Sequence, residues 1–329
     1  MANKRFNWGI LGPGRIAQQF AEGLTVIEDA ALYAVASTHL DRANAFAKKW
    51  GGEKTYDSYE ALVNDPQVDA VYIATPHRFH YDNIMLCLNA GKAVLCEKPM
   101  TVNAAEMRLL AKTSREKKVF LMEALWTLYL PIYQQVRQWL DDGTIGEIKL
   151  LASTFGINVP KEADDRWLNP ELAGGTLLDM GVYPISVSQW VMGRAPQSFS
   201  AKATLGKTGV DELTAVLFKY DNGIISQFSS NFISDDANEF YIFGSKGHIR
   251  IHANYWGSTR ATLVTDGQEW TVSKPFRGGG FEYETEEAMR CIRAGLLESP
   301  VMPQAHSLAN MEIMDQIRGE IGLKYPFEK

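Results

Sequence analysis

Short apolar runs alternate with amphipathic segments throughout the first 125 residues of the chain. Leu40–Trp50, for example, places apolar side chains at the i, i+3, i+4 and i+7 positions that form one face of a helix. The apolar runs predict buried strands at Phe6–Leu11, Leu32–Ser37, Val68–Ala74, Ala93–Cys96 and Val119–Glu123. Because strands and helices alternate with short connections, we expect an α/β domain with a doubly wound parallel sheet of the Rossmann type. Its ligand crevice should lie at the carboxyl ends of the strands.

Residues 126–329 show a different pattern, in which most strands follow one another directly. Asp221-Asn222-Gly223 and Asp266-Gly267 are hairpin signals, since these dipeptides accept the positive φ angles of a tight turn. The pattern predicts strands at Ile148–Phe155, Ser198–Leu205, Thr214–Tyr220, Gly223–Phe232, Glu239–Phe243, His248–His252, Thr259–Val264 and Glu269–Val272. Helices are predicted near Ile132–Leu140, Leu177–Met192, Tyr283–Ala294 and Ser307–Ile321. We therefore expect an α+β second domain with a large open, mostly antiparallel sheet.

This division predicts a dinucleotide-binding domain over residues 1–125 and a substrate-binding and dimerisation domain over residues 126–329. The segments Ala215–Phe218 and Phe240–Phe243 are apolar on both alternating faces. Helices can cover one face of an open sheet, and the other face then needs a partner. We expect a homodimer that packs sheet against sheet, the alternative being a strand or loop of the same chain over that face.

Composition and charge narrow the range of partners. The 329 residues include 33 Lys and Arg against 39 Asp and Glu, a formal net charge of −6. This excess of acids argues against nucleic acid or an anionic membrane as the main partner. No apolar run approaches the ~20 residues of a membrane span, and the first residues show no secretory pattern. Cys87, Cys96 and Cys291 are few and odd in number, so we expect free thiols and a cytoplasmic location.

A glycine-rich run, Gly12-Pro13-Gly14-Arg15-Ile16-Ala17, follows the first predicted strand and opens a helix. That is the context of a dinucleotide-binding turn. Gly12 permits the tight turn, Gly14 leaves room for the pyrophosphate, and Ala17 lets the helix pack closely on the strand. The backbone N–H groups at the start of the helix, including those of Arg15 and Ile16, are expected to hold the phosphates. A tight turn without a ligand is the alternative interpretation.

The end of the second strand indicates which cofactor binds. Enzymes that use NAD usually carry Asp or Glu at this point, where the carboxylate binds the ribose 2′-hydroxyl. Here the strand ends in Ser37-Thr38-His39, and Arg42 follows one turn later. Hydroxyl, imidazole and guanidinium groups suit a 2′-phosphate, so we predict NADP in preference to NAD. Arg42 as a solvated helix residue, with Asp41 beside it, is the alternative.

Cys96-Glu97-Lys98-Pro99 follows a predicted strand, so Glu97 and Lys98 should emerge at the cofactor crevice. A lysine there can hydrogen-bond the alcohol or carbonyl oxygen of a substrate. Beside a cationic oxidised nicotinamide, a partly desolvated lysine loses its proton more easily, which moves it toward acid–base work. A surface lysine without a chemical role is the alternative.

Asp179 and Tyr183 are spaced by four residues in a predicted helix of the second domain. This spacing places an acid and a phenol on one helix face, where they form a plausible proton-handling pair. The spacing fits equally well a capping aspartate and a core tyrosine.

Thr75, His77 and His80 come directly after the strand Val68–Ala74, at the same carboxyl edge of the sheet. We predict that they contact the nicotinamide or the substrate, and helix capping or packing is the alternative. The two histidines have no Glu or Cys at a known zinc spacing beside them, so no metal site is predicted.

The glycine turn, Glu97-Lys98-Pro99 and Asp179-x-Gly181-x-Tyr183 together resemble the Gfo/Idh/MocA family of oxidoreductases. The resemblance covers essentially the whole chain. Within that family the chain looks most like the dimeric dihydrodiol dehydrogenases and the NADP-dependent D-xylose dehydrogenases. The segments that carry this likeness are Glu123–Trp126, Thr154–Gly156, Asn169–Leu172, Leu178–Ile185 and Tyr325–Phe327.

The resemblance implies hydride transfer at a secondary alcohol or hemiacetal carbon of a sugar, cyclic polyol or dihydrodiol, with NADP as acceptor. By position, Lys98 and Tyr183 match the catalytic residues of the family, with Asp179 close by. The positions that line the nicotinamide and substrate pocket in the family correspond here to His77, His80, Trp126 and Phe155. Relatives often carry arginine where this chain has Thr38. An inositol or amino-sugar dehydrogenase and a non-catalytic NAD(P)-binding sensor are the alternatives.

Overall fold

The structure is a computed structural model that describes residues 5–159 and 166–328. The chain divides into two compact units, one built from the residues up to 126 with 276–308 and the other from 127–275 with the residues after 308. The predicted division assigned all residues after 125 to the second domain, so it missed the return of residues 276–308. Residues 276–308 belong to the first unit because the helix within them packs closely on the first helix of the chain. A Cβ added to Gly23 of that first helix would lie 3.1 Å from the Cβ of Phe281.

The first unit contains the predicted parallel sheet, with strand order β3-β2-β1-β4-β5-β6 and parallel pairing throughout. Its strands are β1 (Phe6–Leu11), β2 (Ala30–Ala36), β3 (Lys54–Tyr56), β4 (Ala70–Ile73), β5 (Ala93–Glu97) and β6 (Leu121–Ala124). The prediction missed β3, a three-residue strand at the sheet edge. Lys54 is exposed there, and so short a segment shows no apolar periodicity. The order of the remaining strands is that of a dinucleotide-binding fold.

The helices of the first unit include the predicted Leu40–Trp50, which has the predicted bounds. They are α1 (Arg15–Leu24), α2 (Leu40–Trp50), α3 (Tyr59–Val63), α4 (His80–Asn89), α5 (Ala104–Lys117) and α8 (Phe281–Arg293). Ser58 accepts a hydrogen bond from the Ala61 N–H, and Asn103 accepts one from the Glu106 N–H, as residues that begin helices commonly do. A 3₁₀ turn, His77–Phe79, precedes α4, so His77 lies in this turn and His80 begins the helix.

The second unit is built on a sheet of strand order β14-β13-β12-β11-β7-β10-β9-β8, antiparallel except for the β7–β10 pair. Its strands are β7 (Ile148–Gly156), β8 (Ser198–Leu205), β9 (Asp211–Lys219), β10 (Ile225–Asn231), β11 (Phe240–Gly244), β12 (Gly247–Ile251), β13 (Arg260–Thr265) and β14 (Gln268–Ser273). The predicted open, mostly antiparallel sheet is confirmed. Both hairpin signals stand at turns, with positive φ at Asn222, Gly223, Asp266 and Gly267.

The remaining helices are α6 (Pro131–Asp141), α7 (Val182–Met192) and α9 (Gln304–Ile321). A π-helical turn, Leu177–Gly181, runs directly into α7. The sequence predicts one continuous helix from Leu177, and the structure corrects its first turn. Single π-helical turns are rare and often mark functional positions.

Candidate active site

The turn between β1 and α1 is shaped to hold phosphate groups. Gly12 has φ +82°, and a Cβ there would lie 2.9 Å from the Thr75 Cγ2 atom, so glycine is required. The nearest atom to a Cβ built on Gly14 is 4.0 Å away, which leaves its outer side open. Ala17 is fully buried against the strand. The N–H groups at the start of α1 therefore face an open cradle, and the turn fits the pyrophosphate of a dinucleotide.

Small polar groups collect at the end of β2. Ser37 is buried, and its hydroxyl oxygen accepts a hydrogen bond from the His39 N–H at 3.2 Å. The Thr38 hydroxyl lies 3.1 Å from the His39 Nδ1 atom. Arg42 is exposed at the start of α2, and its positive charge acts on Tyr59. No Asp or Glu stands at this strand end, so the residues fit a 2′-phosphate better than a free 2′-hydroxyl.

Lys98 follows β5 directly and is half-buried, and the peptide bond to Pro99 is cis. The preceding residue, Glu97, is 6% exposed and accepts a hydrogen bond from the Tyr72 hydroxyl. The other carboxylate oxygen of Glu97 accepts the Lys98 backbone N–H at 3.3 Å. The strand end that carries Lys98 is therefore fixed from inside the sheet by Tyr72, which stacks on Phe20 at 3.8 Å between ring centroids.

Buried carboxyl groups surround this strand end. Glu284 of α8 is fully buried, and within residues 5–159 and 166–328 neither of its carboxyl oxygens has a hydrogen-bond partner. Burial raises the pKa of Glu284 well above its usual range, and the charge of Glu97 raises it further. Burial also raises the pKa of Glu123, although the Met100 N–H donates a hydrogen bond to it at 2.9 Å. The first unit thus holds a buried carboxyl group, that of Glu284, whose pKa is raised by burial and by the charge of Glu97.

His80 has a structural position. It is fully buried, and its Nδ1 and Nε2 atoms lie 2.9 Å from the Pro99 carbonyl oxygen and 2.7 Å from the Thr75 carbonyl oxygen. With both ring nitrogens engaged, His80 joins the ends of β4 and β5, and its contact with nicotinamide or substrate stays a prediction. His77 is 7% exposed and lies 5.7 Å from the His80 ring. The Thr75 hydroxyl accepts a hydrogen bond from Asn83 at 3.0 Å.

Trp126 belongs to the first unit and is half-exposed. Its ring stacks on Phe281 at 4.9 Å between centroids and lies 6.1 Å from Phe276. A Cβ added to Gly280 would lie 2.7 Å from the Trp126 ring, so glycine allows this close approach. The returning segment therefore fixes the orientation of Trp126.

In the second unit, Asp179 lies on the π-helical turn and Tyr183 on the first turn of α7. The two residues thus lie on different kinds of helical turn, so the face-sharing argument for a regular α-helix does not apply. Asp179 is paired with the exposed Arg166 at 3.6 Å, and its side chain is 12% exposed. Tyr183 is buried, with its ring 5.7 Å from Phe155.

An aromatic platform adjoins Tyr183, and the sequence reasoning missed its main member, Trp256. The Trp256 ring stacks on Phe155 at 3.5 Å and 8° and lies 6.5 Å from Tyr183. Trp256 lies in a 3₁₀ turn, Tyr255–Gly257. Two hydroxyls fix this turn, since Thr127 donates to the Trp256 carbonyl oxygen at 2.5 Å and Tyr133 donates to that of Tyr255 at 2.9 Å. Trp256 follows no motif, because the tertiary fold alone brings it to Phe155.

In residues 5–159 and 166–328, no group of three or more His, Cys, Asp or Glu side chains is placed to hold a metal ion. The helices of the same ranges include none that is both long and apolar enough to cross a membrane.

A phosphate-binding turn on β1 and a lysine at the end of β5 place the protein in the class of nicotinamide-dependent oxidoreductases. Comparison with known proteins identifies the family. Residues 6–125 match the oxidoreductase family with an NAD-binding Rossmann fold, and residues 133–250 match the GFO/IDH/MocA C-terminal domain. The chain belongs to the Gfo/Idh/MocA family and is an NAD(P)-dependent oxidoreductase, as the sequence motifs predicted.

The most similar relatives extend this finding over the whole chain. The chain is 38% identical to trans-1,2-dihydrobenzene-1,2-diol dehydrogenase of Mus musculus, over 98% of both chains. It is 36% identical to the enzyme of that name from Xenopus tropicalis, over 97% of this chain and 99% of the relative. Among solved structures, KijD10, a 3-ketoreductase from Actinomadura kijaniata in complex with NADP and TDP-benzene, matches with a TM-score of 0.87 and 27% identity. That match covers 97% of this chain and 98% of KijD10.

Proposed function

We propose that this protein is an NADP-dependent dehydrogenase that oxidises a secondary alcohol or hemiacetal carbon of a small cyclic diol, sugar or polyol. Full-length relatives act, by their name, on a trans-dihydrodiol of benzene. The KijD10 structure contains NADP, in agreement with the predicted preference for this cofactor. The uncharged hydroxyls at the end of β2 and the guanidinium of Arg42 support the same choice.

We assign tasks in this reaction to Lys98, Asp179, Tyr183 and the aromatic side chains beside Tyr183. When bound, the nicotinamide supplies the acceptor for the hydride that leaves the carbinol carbon. Tyr183 takes the proton of the reacting hydroxyl group, Lys98 hydrogen-bonds the oxygen of that group, and Asp179 orients a substrate hydroxyl. Phe155 and Trp256 provide an apolar surface for a substrate ring. The domains divide the work accordingly, the first unit binding the dinucleotide and the second the substrate.

The observation that carries this proposal is the position of two features in one sheet. The glycine turn and Lys98 follow β1 and β5, which flank β4, so both lie at the carboxyl edge of neighbouring parallel strands. Ligands of such sheets bind at that edge. This placement supports a role for Lys98 in the same crevice as the cofactor, where an acid–base group is useful.

The test is turnover by the purified full-length protein. It is incubated with NADP or NAD and with trans-1,2-dihydrobenzene-1,2-diol, D-xylose or inositol, and the absorbance of the reduced nicotinamide is followed. We expect turnover of the diol with NADP and a higher KM for NAD. Cofactor binding without turnover of any of these compounds would contradict the proposal and favour a sensor.

We also propose a homodimer formed through the second sheet. Leu150 and Ala152 of β7 pair with Phe243 and Tyr241 of β11. These side chains lie on the same face of the sheet as Leu217, and α7 contacts the opposite face. Leu217 is 43% exposed, and the Tyr241 and Phe243 rings stack at 5.5 Å. A face of this composition favours a second copy as cover. Sedimentation at micromolar concentration should give twice the chain mass, and Leu217→Asp should shift it to the monomer.

A cytoplasmic location completes the proposal. The three cysteines are buried and unpaired, which suits a reducing compartment. Fractionation of the source cells, with antibody detection, should find the protein in the cytosolic fraction, and enrichment in an extracytoplasmic fraction would contradict this.

A further inference from the structure

Asp211, at the start of β9, is a fully buried acid that the proposed reaction does not use. Its Oδ2 atom accepts two hydrogen bonds, from the Leu177 N–H at 2.8 Å and from the Thr214 hydroxyl at 2.7 Å. Leu177 is the first residue of the π-helical turn that carries Asp179 and leads into α7 with Tyr183. The acid thus connects the second sheet to the segment that bears the predicted acid–base residues.

This helical segment receives its N-terminal cap from a distant part of the chain. The first N–H groups of a helix have no partner inside it, and a nearby side chain usually accepts from one of them. Thr176, at the cap position, makes no such bond with its side chain. Asp211, 34 residues further along the chain, supplies the acceptor oxygen instead.

The loop before the π-helical turn is shaped around this carboxyl group. Gly175 has φ +116°, and a Cβ there would lie 2.2 Å from the Asp211 Oδ1 atom. Any larger residue at this position would displace the acid. On the other side, the Tyr325 hydroxyl donates to the Gly174 carbonyl oxygen at 2.7 Å. The phenol and the carboxyl group therefore bond to Gly174 and Leu177, on the two sides of Gly175 and Thr176.

The charged neighbours of Asp211 do not neutralise it by direct pairing. The charge of Arg318 on α9 acts to lower the pKa of Asp211, and Asp211 in turn raises the pKa of Tyr325 in the C-terminal segment. Arg318 is already paired with Glu328 at 2.7 Å and with Asp315 at 2.9 Å. Burial raises the pKa of Asp211 to about 7, although the Thr214 hydroxyl and the Leu177 N–H act to lower it.

We propose that Asp211 is a positioning residue of the oxidoreductase, which fixes the π-helical turn carrying Asp179 and thereby the first turn of α7 with Tyr183. This assignment rests on the proposed function for its catalytic consequence. Its structural part, the bond between the acid and the turn, stands independently of the substrate.

The test compares Asp211→Asn with Asp211→Ala, because an amide oxygen still accepts from Leu177 and Thr214 whereas alanine does not. Asp221→Ala, which alters an exposed acid at the β9–β10 turn, is the matched control. Hydrogen–deuterium exchange of the peptide over residues 175–183 should speed up at least ~10-fold in the alanine variant and stay near wild type in the asparagine variant. We expect kcat for the diol to fall at least ~10-fold with alanine, at unchanged NADPH affinity.

Wild-type exchange and kcat in Asp211→Ala would overturn the proposal. Should that variant fail to fold, hydrogen exchange at the Leu177 amide of the wild type decides, because the bond to Asp211 should protect this amide. Exchange of the Leu177 amide at the rate of a solvent-exposed amide would overturn the proposal. A wild-type protein that binds NADPH and shows this protection but turns over no substrate would contradict the proposed function alone.

Discussion

The Tyr72 hydroxyl donates a hydrogen bond to Glu97, the residue that precedes the predicted catalytic Lys98. Both partners are buried in the first unit, and Tyr72 stacks on Phe20 of α1. A helix that begins at the phosphate-binding turn is thereby linked, through one phenol, to the strand end that carries the lysine. The two parts of the proposed site in this unit share a single buried support.

Replacing Tyr72 by phenylalanine should remove its hydrogen bond to Glu97 and leave the aromatic ring in place. Tyr72→Phe keeps the stacking on Phe20 but deprives Glu97 of a donor, so we expect a loss of about 1 kcal/mol in the free energy of unfolding. Urea denaturation measures the loss, and Tyr81→Phe on the half-exposed side of α4 is the control. Equal stability of Tyr72→Phe and wild type would show that the bond contributes nothing.

Lys98→Met should abolish most turnover. The substitution keeps the length of the side chain and removes the amine, so kcat should fall at least ~100-fold, the lower end for an acid–base contribution. Steady-state kinetics gives kcat, and fluorescence titration should show unchanged NADPH affinity. Lys112→Met, on the exposed face of α5, should behave as wild type. Turnover by Lys98→Met at the wild-type rate would show that Lys98 does not have the assigned acid–base role.

The sequence predicts those features of the fold and of the site that depend on local patterns in the chain. The alternation of strands and helices, the glycine turn and the position of Lys98 after β5 all follow from periodicity and from residues next to one another in the chain. Trp256 and Asp211 show what local pattern cannot supply. Trp256 reaches Phe155 through a turn held by Thr127 and Tyr133, more than 100 residues earlier.

Packing also gives His80 contacts that no local pattern shows. His80 stands at the expected edge of the sheet, and its two ring nitrogens lie within hydrogen-bond distance of the carbonyl groups of Thr75 and Pro99. Helical periodicity does not predict the π-helical turn before α7 either. It depends on an acceptor from β9, which the sequence near Leu177 does not contain.

Glu284 should make the stability of the protein depend on pH. Its pKa in the folded protein lies well above the unfolded value of about 4.3, because burial and Glu97 disfavour the charge. Between these two pKa values the folded protein keeps a proton that the unfolded chain releases, so the free energy of unfolding falls as pH rises. Glu284→Gln removes this contribution.

Urea denaturation at a series of pH values from about 5 upward measures the effect. We expect the loss of stability with rising pH to be smaller in Glu284→Gln than in wild type. Glu116→Gln, an exposed residue of α5, is the matched control and should keep the wild-type slope. An unchanged slope in Glu284→Gln would show that this carboxyl group is not the source.

Arg42→Ala should impair the use of NADP selectively. The guanidinium lies one turn after the hydroxyls of Ser37 and Thr38, where it can pair with a 2′-phosphate that NAD lacks. We expect KM for NADP to rise at least ~10-fold and KM for NAD to stay unchanged. Arg108→Ala, exposed on α5, controls for the loss of one positive charge. Equal changes for both cofactors would place Arg42 outside the 2′-phosphate site.

Trp256→Ala should distinguish ring substrates from open-chain ones. The indole stacks on Phe155 at 3.5 Å beside Tyr183, so its removal takes away half of the aromatic platform. We expect KM for the dihydrodiol to rise at least ~10-fold, a larger change than for an open-chain secondary alcohol, because only the ring has a planar face to stack. NADPH affinity should stay unchanged. Trp270→Ala, 43% exposed on β14 of the same sheet, is the matched control. A similar rise in KM for both kinds of substrate would mean that Trp256 shapes the site but does not distinguish ring substrates from open-chain ones.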